Sequence, residues 1–494
     1  MTDIDSPPRS PATIFLELWQ EARSWGASQR AEADRPGTDF SNSVKRALLQ
    51  PELEEVTISI DRLCVCSGLN GPRTRGRRLA IMREIDRFFL SVHPRCAVVS
   101  GLRNTPPVPY WLEVLRDWRL HSSGWYAENG AERVVARGPL TRAERGPTAA
   151  YAERLADRFA ALTVVPKKTK DADGRDIAIS LRVIDGSALT GVPSGGNIGT
   201  ETITFLPVTE TLPELQITQR SGSGFFFVDF RTHPDVDVPE RVISALGLAG
   251  PADIAIAPEF TITAPQSDRL GAILRSSETE HARLIVAGSG QSIEVEEGRP
   301  WNEARVLNAF GVELWKQRKI WPASIVRAKA ASFGLSDPGD AMIQEDTASG
   351  REILVVDIDT LGRAVILICQ DLKAQPLPGE IIQEFQPDWV FCPILDSGIS
   401  SGRWAHQSAF EFSRHARSRI LIVSSTALIP GNAKSASFGL AIGPCDSDAD
   451  DADRMCAEVV RKNASPEHAT VTWRSENSPW KKTTIGTESD EAKQ

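Results

Sequence analysis

The sequence predicts an α/β protein in which a mixed α/β amino-terminal domain precedes a larger domain built around a buried sheet. Three observations predict this class. Short apolar runs rich in β-branched residues alternate with helical patterns from about residue 225 onward, as they do where helices cover a sheet. The chain has 494 residues, too many for one core of ordinary size. Its hydrophobic content of 41% and charged content of 24% are typical of a globular protein.

The amino-terminal region mixes helical and strand patterns. Ser10-Pro11 supplies an N-cap and a first-turn proline to a helix with one apolar face. The alternation of Val56, Ile58 and Ile60 with polar neighbours predicts a half-buried strand over residues 55–66. Further helices are predicted over 79–90, 110–120 and 149–162, and a short strand over 97–99.

Beyond about residue 220 the pattern becomes regular, which predicts βαβ units and a largely buried sheet. Strands are predicted at 225–230, 253–257, 284–287, 312–315, 353–356, 364–368, 389–393 and 420–423. Helices are predicted at 239–246, 268–277, 328–333 and 404–416.

Two connections separate these patterns, a charged loop over 167–173 and a stretch rich in Gly, Ser and Pro over 185–199. The glycines of the second stretch are not a phosphate-binding loop, because no Lys-Ser/Thr pair and no helix follow them. We expect an amino-terminal mixed α/β domain of unknown role over 1–200, a larger domain over 201–473 and a polar carboxyl-terminal tail over 474–494. The first boundary is placed between about residues 185 and 220.

The charge balance argues against a dedicated nucleic-acid-binding protein. Lys and Arg number 56 against 65 Asp and Glu, which gives a net charge of −9, whereas phosphate neutralisation needs a concentrated positive surface. The segment Arg73 to Arg78 is the one basic cluster of the sequence. A solvated turn before a helix explains it, with an anion or nucleic-acid patch as the alternative.

Cysteine usage and hydropathy predict a cytoplasmic protein with no membrane association. The seven cysteines are odd in number and lack the Cys-x-x-Cys spacing of a zinc site, so they are interpreted as reduced thiols. No apolar run approaches the roughly 20 residues that span a bilayer, and the first residues lack a signal-peptide pattern. The cysteines are Cys64, Cys66, Cys96, Cys369, Cys392, Cys445 and Cys456.

Polar residues with complementary chemistry follow three of the predicted strands. Cys369 ends an apolar run at the sheet edge where α/β folds place ligands, although a lone strand cysteine is more often packing. Pro258-Glu259 follows directly on the apolar strand predicted at 253–257. Lys319 stands eight residues after Gly311. A thiol, a carboxylate and an ammonium in one site can act as nucleophile, general base and oxyanion stabiliser. Together they predict acyl transfer through a thioester.

The order of these segments resembles the nitrilase superfamily of carbon-nitrogen hydrolases. Pro258-Glu259 is similar to the family's strand-Pro-Glu, and the segment 311–321 to its Gly, aromatic and Lys segment. Ile368-Cys369-Gln370-Asp371 is similar to its Cys-aromatic-Asp elbow. Segments 385–393, 412–424 and 438–444 resemble later parts of the family pattern, so the likeness covers about residues 222–445. The resemblance implies a four-layer αββα sandwich.

The resemblance also implies roles for individual residues. Glu259 is the expected general base, Lys319 the stabiliser of the tetrahedral intermediate and Cys369 the nucleophile. The backbone N–H of Gln370 is the expected second oxyanion donor. Lys316 is the alternative lysine, but its spacing from Gly311 fits the family less well.

The sequence departs from the family pattern at several points. Gln370 replaces the usual aromatic residue, and the segment between Lys319 and Cys369 is longer than usual. The family often carries a second glutamate there, for which Glu345 is the one candidate and not a clean match. Trp404 and His406 follow a Gly/Ser-rich loop where the family lines its pocket, which makes them candidates for substrate contact.

The function implied is hydrolysis of a non-peptide carbon-nitrogen bond through a cysteine thioester, with no metal or other cofactor. An amide is favoured over a nitrile as the small-molecule substrate, and a homo-oligomer, dimer or higher, is expected from the family. The alternative is a regulatory or defence-associated interaction module with a nitrilase-like body, whose amino-terminal domain senses or binds a partner.

Overall fold

The structure is a computed structural model of the chain. The ranges of residues that it describes are 9–31, 37–68, 71–92, 108–121, 124–138, 155–190, 201–222, 225–277, 281–330, 333–337, 339, 341–359, 361–416, 418–429, 435–444, 454–462, 469–472 and 481–483.

The helices lie mainly in the amino-terminal region and on the outer faces of the sheets. Their bounds are α1 Pro11–Arg23, α2 Ala27–Ala31, α3 Thr38–Leu48, α4 Leu53–Cys66, α5 Pro72–Phe89, α6 Tyr110–His121, α7 Ser187–Thr190, α8 Val238–Ala249, α9 Ala264–Ser276, α10 Arg327–Ala330, α11 Leu377–Glu380 and α12 Trp404–Ala416. Of the helices in the described ranges, none is both long and apolar enough to cross a bilayer.

The strands follow one another through most of the chain after residue 127. The bounds of the earlier strands are β1 Ala127–Asn129, β2 Glu132–Ala136, β3 Leu162–Pro166, β4 Lys168–Lys170, β5 Asp176–Ile184, β6 Thr202–Phe205, β7 Leu215–Gly222, β8 Phe225–Thr232, β9 Ala252–Ile256, β10 Ala282–Glu296 and β11 Arg299–Asn308. The later ones are β12 Glu313–Arg318, β13 Ser324–Ile325, β14 Met342–Glu345, β15 Glu352–Ile358, β16 Gly362–Ile366, β17 Trp389–Ile394, β18 Arg419–Ser424, β19 Ser435–Pro444, β20 Arg454–Lys462, β21 Ala469–Thr472 and β22 Lys481–Thr483.

Two large mixed sheets form the centre of the molecule. One has the order β12-β11-β10-β9-β6-β21-β22 and the other β20-β19-β18-β17-β16-β15-β5-β4. Apolar side chains from both sheets, such as Ile254 on β9 and Val355 on β15, share one core and are fully buried. Such interdigitation of two inner faces is how packed sheets exclude water.

Helices cover the outer faces of both sheets. Val242 of α8 and Leu270 of α9 pack on Ile285 of β10, on the outer face of the first sheet. Ala405 and Ala409 of α12 pack with the second sheet. The layers are therefore helix, sheet, sheet, helix, which confirms the predicted αββα class. A small sheet of order β13-β14-β8-β7 lies beside this sandwich and has a core of its own.

The amino-terminal region has a separate core formed by α1, α3, α4, α5, α6 and the sheet β1-β2-β3. The predicted domain boundary near residue 200 stays a prediction. Strands β4 and β5 precede it in the sequence, yet β5 pairs in parallel with β15 of the second sheet. The strand β22 lies within the predicted carboxyl-terminal tail and pairs with β21.

The predicted strand over 55–66 is wrong, because these residues belong to α4. Val56 and Ile60 are four residues apart, so they share a helical face as well as a strand face, and both are fully buried. Ile58, which a strand would bury with them, is 43% exposed. Glu54 and Glu55 lie in the first turn, where their negative charge interacts favourably with the helix dipole and stabilises the helix.

Three other local predictions differ from the structure. The arginine cluster 73–78 lies inside α5 rather than in a turn, with Pro72 at the start of that helix. The charged loop 167–173 contains β4. In the predicted helix 149–162, residues 155–158 form a single 3₁₀ turn and Leu162 begins β3. Residues 149–154, the predicted strand 97–99 and the connection 191–199 lie outside the described residues.

Candidate active site

The three residues predicted to act together follow the ends of three strands. Glu259 comes after β9, Lys319 directly after β12, and Cys369 after β16. All three side chains are buried, with Lys319 0% and Cys369 5% exposed. The sandwich therefore brings Glu259 and Lys319 into direct contact, although 60 residues separate them.

Lys319 lies between two carboxylates. Its Nζ donates to Glu259 Oε1 at 2.7 Å and to the two carboxylate oxygens of Glu345 at 2.7 and 2.6 Å. Glu345 is the last residue of β14 and also accepts from the backbone N–H of Ala323 at 2.9 Å. The glutamate considered a weak candidate from the sequence is thus a direct partner of the buried lysine.

Glu259 is held by one group on β11 and one directly after β17. Asn302 Nδ2 donates to Oε1 at 2.9 Å, and the backbone N–H of Leu395 donates to Oε2 at 3.0 Å. The turn that carries Glu259 packs against Gly288, where a Cβ would lie only 2.3 Å from the carbonyl oxygen of Pro258. Gly288 has φ +83°, so glycine is needed there on both counts.

Burial and charge set the protonation states of this group. Burial raises the pKa of Glu259 to about 7, the nearby Lys319 opposes that rise, and Glu345 adds to it. Burial alone would lower the pKa of Lys319, but Glu259 and Glu345 hold it well above its usual value. Lys319 is therefore an ammonium, while Glu259 has a pKa suited to proton transfer near neutral pH.

Cys369 stands at a sharp turn. Its φ is +49°, a left-handed conformation that L-residues rarely adopt and that costs about 1 to 3 kcal/mol. Residues 369–372 then form a single 3₁₀ turn. The backbone N–H of Gln370, near the start of that turn, makes no hydrogen bond to any described residue, as is usual for the first N–H groups of a helical turn. A free N–H beside the expected nucleophile is what an oxyanion donor requires.

The Cys369 thiol is neutral in the resting site. Burial raises its pKa well above the usual value, Glu259 raises it further, and Lys319 offsets part of the rise. A hydrogen bond with this thiol also contributes to the pKa of Glu259. The thiol proton therefore has a carboxylate acceptor within reach.

Asp371 joins the cysteine turn to the lysine loop. Its carboxylate accepts from the backbone N–H groups of Ile320 at 3.1 Å, Trp321 at 2.8 Å and Ile368 at 3.2 Å. Asp371 is fully buried, and burial raises its pKa to about 7, with Lys319 and these N–H groups opposing the rise. Since Ile320 follows Lys319 and Ile368 precedes Cys369, one side chain fixes both backbones.

A cavity of about 260 Å³ opens onto Cys369 and Glu345. Its walls are mostly apolar and aromatic, with Lys373 and Asp396 as the charged groups besides Glu345. The lining residues are Phe230, Phe260, Ala323, Ser324, Ile325, Val326, Phe333, Glu345, Cys369, Gln370, Lys373, Leu395, Asp396, Trp404 and Leu428.

The other candidates from the sequence lie in different places. Trp404 lines the cavity and donates from its indole N–H to Asp396 Oδ2 at 2.7 Å. His406 is not among the described residues that line it, and instead stacks on Phe410. Lys316 is 40% exposed, pairs with Glu303 at 3.4 Å and borders a different cavity. Lys319 is thus the lysine that contacts Glu259.

Two residues of the site were not assigned a role from the sequence. Asn302 carried no signal, because it lies in β11, a strand that the pattern did not predict. Asp371 was visible in the elbow motif, but its contacts with the lysine loop depend on the fold. Among the described residues, no group of three or more His, Cys, Asp and Glu side chains is arranged to hold a metal ion.

Comparison with known proteins gives likeness to solved structures alone. No protein-family model matches the sequence. No curated protein matches it either. The Nit3 protein of Saccharomyces cerevisiae, a member of branch 10 of the nitrilase superfamily, matches with 12% identity and a TM-score of 0.37, over 57% of this chain and 94% of its own.

Two further solved structures give similar values. A mutant amidase of the nitrilase superfamily from Nesterenkonia AN1 has 13% identity and a TM-score of 0.35, over 58% of this chain and 94% of its own. A CN-hydrolase superfamily protein from Xanthomonas campestris has 15% identity and a TM-score of 0.33, over 56% and 91%. These three solved structures are members of the nitrilase superfamily.

Proposed function

We propose that the protein is a carbon-nitrogen hydrolase that cleaves an amide through a thioester on Cys369. The observation that carries the proposal is the buried ammonium of Lys319 between Glu259 and Glu345, because Glu345 lines the same cavity as Cys369. Burying three ionised groups costs free energy that packing alone does not recover, so such clusters are typical of functional sites.

The geometry supports a two-step reaction. Glu259 accepts the thiol proton as Cys369 Sγ attacks the carbonyl carbon, because the raised pKa of the thiol favours proton transfer together with attack. The oxygen of the tetrahedral intermediate takes up negative charge, which Lys319 Nζ and the N–H of Gln370 stabilise. Glu259 then returns the proton to the leaving nitrogen, and the carbon-nitrogen bond breaks to leave the thioester.

The same groups serve the second step. Glu259 takes a proton from water, the hydroxyl oxygen attacks the thioester carbon, and the proton passes to the departing Cys369 sulfur as the acid is released. Glu345 keeps the ammonium of Lys319 charged and in position, through contacts of 2.6 and 2.7 Å. We assign it to positioning rather than to proton transfer.

An amide substrate is favoured over a nitrile. The two donors proposed above, Lys319 Nζ and the N–H of Gln370, would suit the tetrahedral intermediate of an amide. A cavity of about 260 Å³ suits a small molecule. The expectations of a homo-oligomer and of a cytoplasmic location stay predictions.

The test is ammonia release from a panel of simple primary amides by the full-length protein. We expect release by the wild type and none above background by Cys369→Ala. Mapping of iodoacetamide adducts supplies a second readout, in which Cys369 reacts faster than Cys392, a buried thiol whose pKa burial also raises. Equal labelling of both, or ammonia release that survives Cys369→Ala, would show that Cys369 is not the nucleophile.

The alternative of an interaction module makes the opposite prediction. A binding module needs no reactive thiol, so neither amide turnover nor preferential labelling of Cys369 would be seen. One feature favours a regulatory role for the amino-terminal region. Buried charged side chains, Arg119 and Arg363, connect that region to the second sheet.

A further inference from the structure

Lys373 is a charged residue of the cavity that has no counter-ion among the described residues. It ends the turn that begins at Cys369, and its side chain lines the cavity and is exposed. Its ammonium makes no hydrogen bond or ion pair with any described residue, whereas Lys319 is enclosed by two carboxylates. The site therefore presents one unpaired positive charge close to the nucleophile.

The carboxylates of the same cavity are already engaged. Glu345 accepts from Lys319 and from the N–H of Ala323. Asp396 accepts from Trp404 Nε1 at 2.7 Å and from the N–H of Ser397 at 2.6 Å. Because these oxygens are satisfied, Lys373 is the cavity group with the greatest remaining capacity for an ionic partner.

Part of the cavity wall is aromatic. The ring of Phe230 lies 5.7 Å from that of Phe260 and 6.1 Å from that of Phe333, with the second pair edge to face. Leu395 and Leu428 add aliphatic surface. Such walls favour an apolar and preferably aromatic body, because rings gain from offset or edge-to-face contacts.

We propose that the substrate is an amide with an aromatic body and a carboxylate, and that Lys373 binds this carboxylate. The proposal rests on the proposed function. A carboxylate is favoured over a phosphate because one lysine supplies a single point charge, whereas phosphate sites usually combine several donors.

The test compares three primary amides with the full-length protein: phenylacetamide, its para-carboxylate derivative and its para-aminomethyl derivative. We expect the carboxylate to have the highest kcat/KM in the wild type, mainly through a lower KM. In Lys373→Met the ratio of kcat/KM for the carboxylate to that for phenylacetamide should fall about tenfold to a hundredfold, the range of a charge-assisted contact. Lys373→Glu should favour the aminomethyl compound instead.

Lys316→Met is the matched control, since Lys316 is a half-exposed lysine that borders another cavity. It should leave all three ratios unchanged. The proposal is overturned if the wild type shows no preference for the carboxylate, or if Lys373→Met leaves its ratio unchanged. Turnover of phenylacetamide that disappears in Cys369→Ala would in that case leave the proposed function standing. For binding without turnover, the carboxylate should raise the Tm of Cys369→Ala but not that of Cys369→Ala with Lys373→Met.

Discussion

Two carboxylates, Glu259 and Glu345, share one ammonium in the core of this protein, and both the burial and the charges of this group affect the pKa of Glu259. Lys319 contacts Glu259 and Glu345 at 2.6 to 2.7 Å while it is fully buried. Burial is the main cause of the raised pKa of Glu259, and Glu345 adds to it, because one positive charge cannot fully stabilise two buried negative charges. The protons of such a cluster titrate jointly, and kinetics will report apparent values.

The first prediction concerns pH. If the carboxylate form of Glu259 is the base, as proposed, kcat/KM should rise with pH through an apparent pKa near 7, where an exposed glutamate would give a value near 4.5. The stability of the protein should change in the opposite direction. Because the folded-state pKa of Glu259 is raised, folding favours its protonated form, and its contribution to the free energy of unfolding falls as pH rises from about 4.5 to 7. A pH profile of amide hydrolysis checks the first statement. An activity that is flat from pH 5 to 8 would contradict the role of Glu259.

The second prediction concerns Lys319. Its replacement by Met should abolish activity and lower the free energy of unfolding by about 3 to 5 kcal/mol at pH 8, because two buried carboxylates lose their counter-ion. The loss of stability should be smaller at pH 5, where Glu259, whose pKa is raised to about 7, takes up a proton. Urea denaturation at the two pH values measures it. Lys316→Met, at a half-exposed position, should stay within about 0.5 kcal/mol of the wild type.

At the scale of elements, the site depends on how two loops are held together. The cysteine turn follows β16 in the second sheet, and the lysine loop follows β12 in the first. Asp371 connects them with hydrogen bonds to Ile320, Trp321 and Ile368. The distance between nucleophile and ammonium is thus set by a buried side chain that need not touch the substrate.

The third prediction is that Asp371→Asn lowers kcat about tenfold to a hundredfold with less effect on KM. The amide places an NH₂ group where the carboxylate accepts N–H donors, so the two loops separate slightly, and small misplacements have effects of this size. Steady-state kinetics on a primary amide would measure the split. Asp235→Asn, whose side chain is 91% exposed, is the control. An unchanged kcat in Asp371→Asn would exclude the positioning role.

Elements of the larger domain were predictable because their strands are buried on both faces. The runs at β9, β16, β17 and β18 are continuous and apolar, which leaves little ambiguity. In α4, by contrast, Val56 and Ile60 fit the periods of a strand and of a helix alike. Polar hairpin strands such as β11 carry no apolar run, so Asn302 could not be placed.

The pairing within the site was harder to predict than its members. Glu259, Lys319 and Cys369 could be ranked from their positions at strand ends and from a family resemblance. The contact of Glu345 with Lys319 depends on where β14 lies in the fold, and the local sequence pattern carries no information on that. The same holds for Lys373, because its having no ionic partner in the part of the chain that the structure describes is a property of the fold.

At the scale of the whole molecule, ion pairs and hydrogen bonds of buried charged side chains connect the amino-terminal region to the second sheet, which carries Cys369. Asp357 on β15 accepts from Arg119 of α6 and from Arg363 of β16, the latter at 2.7 Å. Arg363 is fully buried and also donates to the carbonyl oxygens of Phe385 and Ala136, the second of which belongs to β2. The amino-terminal region is therefore attached to the strand that leads to Cys369.

The last prediction follows from that attachment. Asp357→Asn removes the charge shared by Arg119 and Arg363, so the free energy of unfolding should fall by about 3 kcal/mol in urea denaturation. The side chain of Asp357 is 17% exposed and the guanidinium groups hold its pKa below the usual value, so the loss should shrink as pH falls. Hydrogen exchange should rise in both 110–121 and 352–358. Asp117→Asn, 60% exposed on the same helix as Arg119, should change neither measurement. If hydrogen exchange rose in α6 alone, the charges would stabilise that helix without coupling it to the second sheet, which carries Cys369. A regulatory role of the amino-terminal region would then require a different structural connection.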